Sequence, residues 1–180
     1  MDFDDVLNIF SSRNAYRSKK GAFGYLARSS PYIDGHSYDI NWSKELARKL
    51  MDAKSKYGFD WLWLTIWKSN TVKYVDPLMG IKSDGYIDWD ADSGIDWRTP
   101  TDVIDDIRDT RKYAILLSKL KDNPMPFIWI DDSATRKYNK ADFVGVLDVP
   151  HIIIRPAVDF GMLKDDLDTM LNFLDSISKK

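Results

Sequence analysis

The sequence predicts one three-layer α/β domain with a mainly parallel sheet, because short apolar runs alternate along it with amphipathic helical stretches. The runs at residues 60–65, 127–130 and 152–154 are strongly apolar, as strands buried on both faces are. Each gives way at its C-terminal end to a polar group: Thr65, then Asp131-Asp132, then Arg155. Open α/β sheets bind ligands at that edge, so polar side chains gathered there are candidates for chemistry. A length of 180 residues, 44% hydrophobic and 30% charged, suits a single domain over 1–180.

The chain opens on Met1-Asp2-Phe3-Asp4-Asp5-Val6-Leu7-Asn8. Residues two apart on a strand point to the same side, so Asp2 and Asp4 at a strand's end would aim into one pocket. A nucleophile with a proton donor needs that arrangement, and so does a hard metal ion, which prefers oxygen ligands. Taken alone, the pair is equally what an acidic, frayed end looks like. The acidic and hydroxyl groups at the later strand ends weigh for the pocket.

Residues 9–33 hold no acid, while Arg13, Arg17, Lys19, Lys20 and Arg28 are interleaved with Phe10, Tyr16, Phe23, Tyr25 and Tyr32. Gly21, Gly24 and Pro31 argue against a regular helix here. Two readings stand. One is a solvated connecting loop. The other is a basic flap loop over residues 9–40, whose Arg13, Arg17, Lys19, Lys20 and Tyr16 meet phosphates and bases of a substrate.

A helix over residues 43–57 follows, with Leu46, Leu50, Ala53 and Tyr57 on one face and Gly58 as its stop. The strand at 60–65 ends on the Thr65 hydroxyl, and residues 69–79 form a short helix closed by Gly80. Residues 82–109 carry nine aspartates and read as an acidic loop or hairpin insertion held by Tyr86, Trp89 and Trp97. Its Asp88-x-Asp90-x-Asp92 imitates a calcium loop, but glycine falls one place late and Thr99 stands where glutamate is required, which excludes a calcium hand. Thr101 caps a helix carrying Val103, Ile104 and Ile107. A separate helix over 110–120 places Tyr113, Leu116, Leu117 and Leu120 on one face and Lys112 near its start. A helix at 134–143 follows the second apolar strand. Leu163, Leu167, Met170, Leu171, Leu174 and Ile177 then form the core stripe of a helix over 162–177.

Composition narrows the chemistry. The net charge of -2 provides no global attraction to nucleic acid or anionic membrane, so any such attraction is local. There is no cysteine, hence no disulfide, thiolate site or cysteine nucleophile. Two histidines are too few for a histidine-rich metal centre, and Glu45 is the only glutamate, which leaves acidic chemistry to aspartates. No run approaches the roughly 18–20 apolar residues of a membrane span, and no signal peptide is apparent, so a soluble cytoplasmic protein is expected.

Asp2-Phe3-Asp4-x-Val6, Thr65 after an apolar strand, an isolated lysine and the strand-terminal Asp131-Asp132 resemble the four motifs of the haloacid dehalogenase (HAD) superfamily. Trp63-Leu64-Thr65-Ile66-Trp67, Phe127-Ile128-Trp129-Ile130-Asp131-Asp132 and Ile153-Ile154-Arg155-Pro156 followed by Gly161-Met162-Leu163 resemble, more narrowly, the HAD domains grouped with Swiss Army Knife RNA-repair proteins. The resemblance spans nearly the whole chain and implies a Rossmann-like HAD fold. It implies Asp2 as nucleophile, Asp4 as general acid and base, Thr65 as a phosphoryl ligand and Lys112 as the neutralising cation, with Lys68 and Lys119 as alternatives. It further implies Mg²⁺ held by the Asp2 carboxylate, the Asp4 carbonyl and Asp131, with Asp132 helping directly or through water. Asp5 departs from the pattern, standing where the family usually has glycine. Only Met1 precedes Asp2, which leaves two possibilities: a short first strand with its amino group near the site, or a true start upstream.

The resulting expectation is a Mg²⁺-dependent phosphatase acting through an aspartyl-phosphate on a nucleotide or a nucleic-acid end. The alternatives are a phosphatase for another small phosphorylated metabolite and a catalytically weak HAD fold used as a nucleic-acid or protein-binding module.

Overall fold

The structure, a computed structural model, describes residues 1–88, 101–133 and 149–178, with the backbone alone described for 101–110. The expected helix at 134–143 and the expected anchors Trp89 and Trp97 lie outside these residues. No helix among the described residues is long and apolar enough to cross a membrane.

The N-terminal region holds a short helix and four short strands, where a loop was expected. Helix α1 (Arg13–Ser18) ends before the first glycine, and Ser12 caps it by accepting the Ala15 amide. Four short strands follow: β1 (Leu26–Ser29), β2 (Tyr32–Ile33), β3 (His36–Ser37) and β4 (Ile40–Ser43). β2 and β3 form a hairpin through Asp34-Gly35, both at positive φ (49° and 87°), as a two-residue primed turn requires. β1 pairs antiparallel with β4. Gly21, Gly24 and Pro31 therefore punctuate a helix and a meander.

Helix α2 (Lys44–Tyr57) begins where Ser43 accepts the Leu46 amide and stops at Gly58 in the left-handed conformation, as its sequence predicts. Residues 71–75 form one π-helical turn that runs into α3 (Asp76–Met79). The two helices expected at 101–109 and 110–120 are one, α4 (Thr101–Asp122). No glycine or proline separates them, so helical hydrogen bonding runs through. Lys112 consequently sits at mid-helix.

The paired strands make four two-stranded sheets, and no extended parallel sheet is formed among the described residues. β5 (Leu62–Trp63) pairs in parallel with β6 (Gly85–Tyr86), and β7 (Phe127–Ile130) with β8 (His151–Ile154). The chain start lies between these two pairs. The Met1 amino group donates to Leu62 O (2.9 Å), Leu64 N to Met1 O (2.8 Å) and Asp2 N to Ile130 O (2.8 Å). The chain turns immediately after this segment. Phe3 O accepts the Val6, Leu7 and Asn8 amides at 3.3, 2.9 and 2.9 Å.

Neighbouring strand residues point to opposite faces, and two apolar clusters form accordingly. Trp63, Ile130 and Ile154 join Phe3, Val6, Leu46 and Leu50, together with Leu167, Met170 and Leu174 of α5 (Lys164–Ser178). Leu64 and Trp129 join Ile87 and Leu120 of α4. Helices thus cover both faces of the short strands, which makes the protein mixed α/β.

Gly161 locks the turn that follows Asp4. It has φ +63°, and a Cβ there would stand 2.6 Å from Val6 O, the atom that accepts Met162 N at 2.9 Å. A left-handed L-residue costs about 1–2 kcal/mol before any overlap is counted. Gly161→Ala should therefore lower the unfolding free energy by about 2 kcal/mol or more. An unchanged urea midpoint would show that this turn is not constrained as described.

Candidate active site

Asp2 is placed by the two flanking strand pairs, and Asp131 begins where β7 ends, its amide donating to Ile154 O (3.1 Å). Lys112 reaches both from α4. Its ammonium donates to Asp2 Oδ2 and to Asp131 Oδ2, the latter at 3.0 Å. The three are 4%, 8% and 0% exposed respectively, which makes this a buried three-group ion cluster. The other lysines considered stand elsewhere: Lys68 pairs with Asp88 at 3.6 Å, and Lys119 lies exposed on α4.

The free carboxylate oxygens are held by local donors. Asp2 Oδ1 accepts the Phe3 amide at 2.7 Å. Asp131 Oδ1 accepts from the Ser133 amide (3.0 Å) and hydroxyl (2.7 Å). Asp132 lies beside them, and Arg155 Nε donates to its carbonyl at 2.7 Å. One oxygen each of Asp2, Asp131 and Asp132 lies within 4.8 Å of the others, the only such acidic trio among the described residues.

Electrostatics show a site short of positive charge. Burial alone would lower the Lys112 pKa, but the Asp2 and Asp131 carboxylates outweigh it and hold the ammonium well above the ordinary lysine range. Burial also opposes ionisation of Asp131, yet Lys112 and the Ser133 donors overcome it and keep its pKa low. For Asp2 the balance reverses: burial, with the Asp131 charge, prevails over Lys112 and raises its pKa. Asp132 is pushed up to about 7, by burial first and then by the negative charges of Asp131, Asp2 and Asp5. One ammonium does not balance these carboxylates. A hard divalent cation with oxygen ligands fits both the donor set and the charge deficit.

Asp4 is not part of that trio. Its carboxylate accepts from Asn8 Nδ2 (2.8 Å) and from Trp67 Nε1 (2.9 Å), while Asn8 Oδ1 accepts the Asn41 amide (3.0 Å). The D-x-D spacing therefore does not send both carboxylates into one cluster, because the chain turns at Phe3 and leaves Asp4 on the turn. Asp5 takes φ +52°, the conformation glycine would supply, and its Oδ1 accepts the Asp159 amide at 2.5 Å. Thr65 is buried immediately after the Leu64 amide that bonds Met1, and its hydroxyl accepts Trp67 N at 3.5 Å.

The expected substrate-binding residues divide. Arg13, Arg17, Lys19 and Lys20 are exposed, with Arg17 over the Tyr25 ring and Lys19 over the Phe160 ring, each at 4.6 Å. Tyr16 is instead fully buried with Ile9 and Leu26, and its hydroxyl accepts the Phe23 amide at 3.1 Å. It is a core residue and offers no ring to a ligand. Sequence reasoning missed Asn8, Trp67 and Ser133 as partners of the key carboxylates. Ser133 carried a local signal, since an aspartate side chain commonly accepts from the backbone amide two residues on.

No protein-family model, no curated protein and no solved structure matches this chain.

Removing one member of a buried ion cluster leaves uncompensated charge and costs about 3–5 kcal/mol. Lys112→Met should lose about that much in chelator, and Mg²⁺ should restore more stability to this variant than it adds to wild type. Equal Mg²⁺ effects in urea titrations of the two proteins would count against a cation site at Asp2, Asp131 and Asp132.

Proposed function

We propose that this protein is a Mg²⁺-dependent phosphomonoesterase of the HAD type. Its substrate class would be a phosphorylated nucleotide or nucleic-acid end. The observation that carries the reading is the convergence of Asp2, Asp131 and Asp132 around Lys112 where Met1–Asp2 and β7 meet. A buried carboxylate between a fixed ammonium and a cation-sized acidic cluster suits nucleophilic attack on a dianionic phosphoryl group. The motif resemblance adds the family, and the helices on both faces of the short strands are compatible with a Rossmann-like arrangement.

In this reading Asp2 attacks phosphorus, and the phosphorus–oxygen ester bond breaks as the aspartyl-phosphate forms. The departing oxygen takes a proton from Asp4. Asp4 then takes a proton from the attacking water, whose oxygen displaces Asp2 and releases inorganic phosphate. Asn8 and Trp67 fix the orientation of the Asp4 carboxyl throughout. Lys112 balances charge on the nucleophile, and Thr65 donates to a phosphoryl oxygen. A bound Mg²⁺ would supply further charge neutralisation through Asp2 and Asp131, joined by the Asp4 carbonyl and Asp132.

Phosphate release from an aryl phosphate in Mg²⁺, abolished by chelator, is the direct test. Asp2→Asn should reduce it to background, and Asp4→Asn should lower turnover of a poor leaving group by about 10²–10⁴-fold. Full activity in chelator, or an active Asp2→Asn protein, would overturn the assignment.

A polynucleotide substrate would bring further phosphates within reach of Arg13, Arg17, Lys19 and Lys20. Each phosphate contact contributes about −0.7 to the salt slope for a single strand. Replacing all four residues with Ala should flatten the salt dependence of oligonucleotide KM while sparing a small aryl phosphate. Unchanged oligonucleotide kinetics at low salt would assign these cations to ordinary surface.

A further inference from the structure

The Asp4 carboxylate leads outward through a line of aromatic rings. Trp67, whose Nε1 donates to Asp4 Oδ2 at 2.9 Å, packs against buried Phe3 with ring centroids 5.1 Å apart. On its outer side Trp67 meets Tyr38 at 5.0 Å with the planes 62° apart. Tyr38 is 38% exposed, and the exposed His36 ring lies 6.4 Å further on. The rings run from core to solvent, starting beside a carboxylate that has no place in the acidic trio.

We infer that Tyr38, seated on Trp67, is the stacking platform for a nucleobase carried by the leaving group of the substrate. That the platform serves the leaving group rests on the phosphatase reading, in which Asp4 protonates the departing oxygen; that it binds a base does not. Tyr38 stands on a fixed backbone. Its amide donates to Pro31 O at 3.1 Å, and the adjacent hairpin is tied down by Asn70 Nδ2 donating to Asp34 at 3.4 Å. A two-torsion aromatic side chain on such a backbone loses little freedom on stacking, which is why tyrosine serves well as a contact surface. Of the other rings of this region, Tyr16 and Phe23 are buried, and Phe10, Tyr25 and Tyr32 are exposed; Tyr38 is the exposed ring that continues through Trp67 to Asp4. Stacking tolerates every base because each has a π-face, so the platform would select for a base without selecting among bases.

The test uses the Asp2→Asn protein with Mg²⁺, so that ligands are bound and not turned over. Calorimetric titration compares adenosine 5′-monophosphate and adenosine 3′-monophosphate with ribose 5-phosphate. The better nucleotide should bind about tenfold or more tightly than the sugar phosphate, the size expected of one base–aromatic stack. Adding Tyr38→Ala should bring that ratio near one, and Tyr38→Phe should keep it. A ratio near one in the parent protein, or one that survives Tyr38→Ala, overturns the platform. Phosphate release by the wild-type protein is read separately. No release with the base preference intact removes the hydrolase reading and leaves the platform, whereas release without the preference does the reverse.

Discussion

Lys112 buried between Asp2 and Asp131 joins segments 110 and 19 residues away along the chain, and the rest of the site is arranged around that ion cluster. Taking an ammonium and two carboxylates out of water costs several kcal/mol per ion, which only close mutual contact and further hydrogen bonds repay. The surrounding structure supplies both. The Phe3 amide and the two Ser133 donors occupy oxygens that Lys112 does not reach. The unbroken α4 carries Lys112 from mid-helix into the space between the chain start and the end of β7. A helix break at 109–110 would have freed the lysine from this rigid support.

The cluster is also incomplete as a charge balance. Asp132 and Asp2 both resist ionisation through burial, and each is opposed further by neighbouring carboxylates. A protein gains nothing in stability from crowding acids in this way. Under the proposed function, a cation and a phosphoryl group would offset that crowding, with Lys112 already fixed in place. Perturbed ionisation gathered at one buried point marks a candidate site, and here it coincides with the acidic trio of Asp2, Asp131 and Asp132.

Asp4 belongs to a different neighbourhood. Turning the chain at Phe3 separates its carboxylate from the acidic trio and gives it to Asn8 and Trp67, each braced by the β1–β4 region. Asn41 of β4 orients Asn8, and Tyr38, between β3 and β4, packs on Trp67. The meander is thereby coupled to a prospective proton-transfer group through two short contact chains. Its exposed cations are the outer part of a structure whose inner part holds a carboxyl group in position.

Local chemistry made much of this legible in the sequence. Ser43 and Gly58 mark the ends of α2 because a cap and a left-handed stop act within one turn. The stripe of Leu167, Met170 and Leu174 announces the buried face of α5, and Asp2, Asp131 and Asp132 stood out by type and by position at segment ends, whereas Lys112 was singled out through the family resemblance. Tertiary structure alone decided the rest. Tyr16 became core, not contact surface, because Ile9, Leu26 and Phe23 close around it. The chain turns straight after Asp2 because three amides converge on Phe3 O. The pairing of Asp4 with Trp67 joins residues 63 positions apart, and no periodicity or spacing encodes such a contact. Side-chain period and capping act over a few residues, whereas which distant segments share a face is settled only when the apolar clusters assemble.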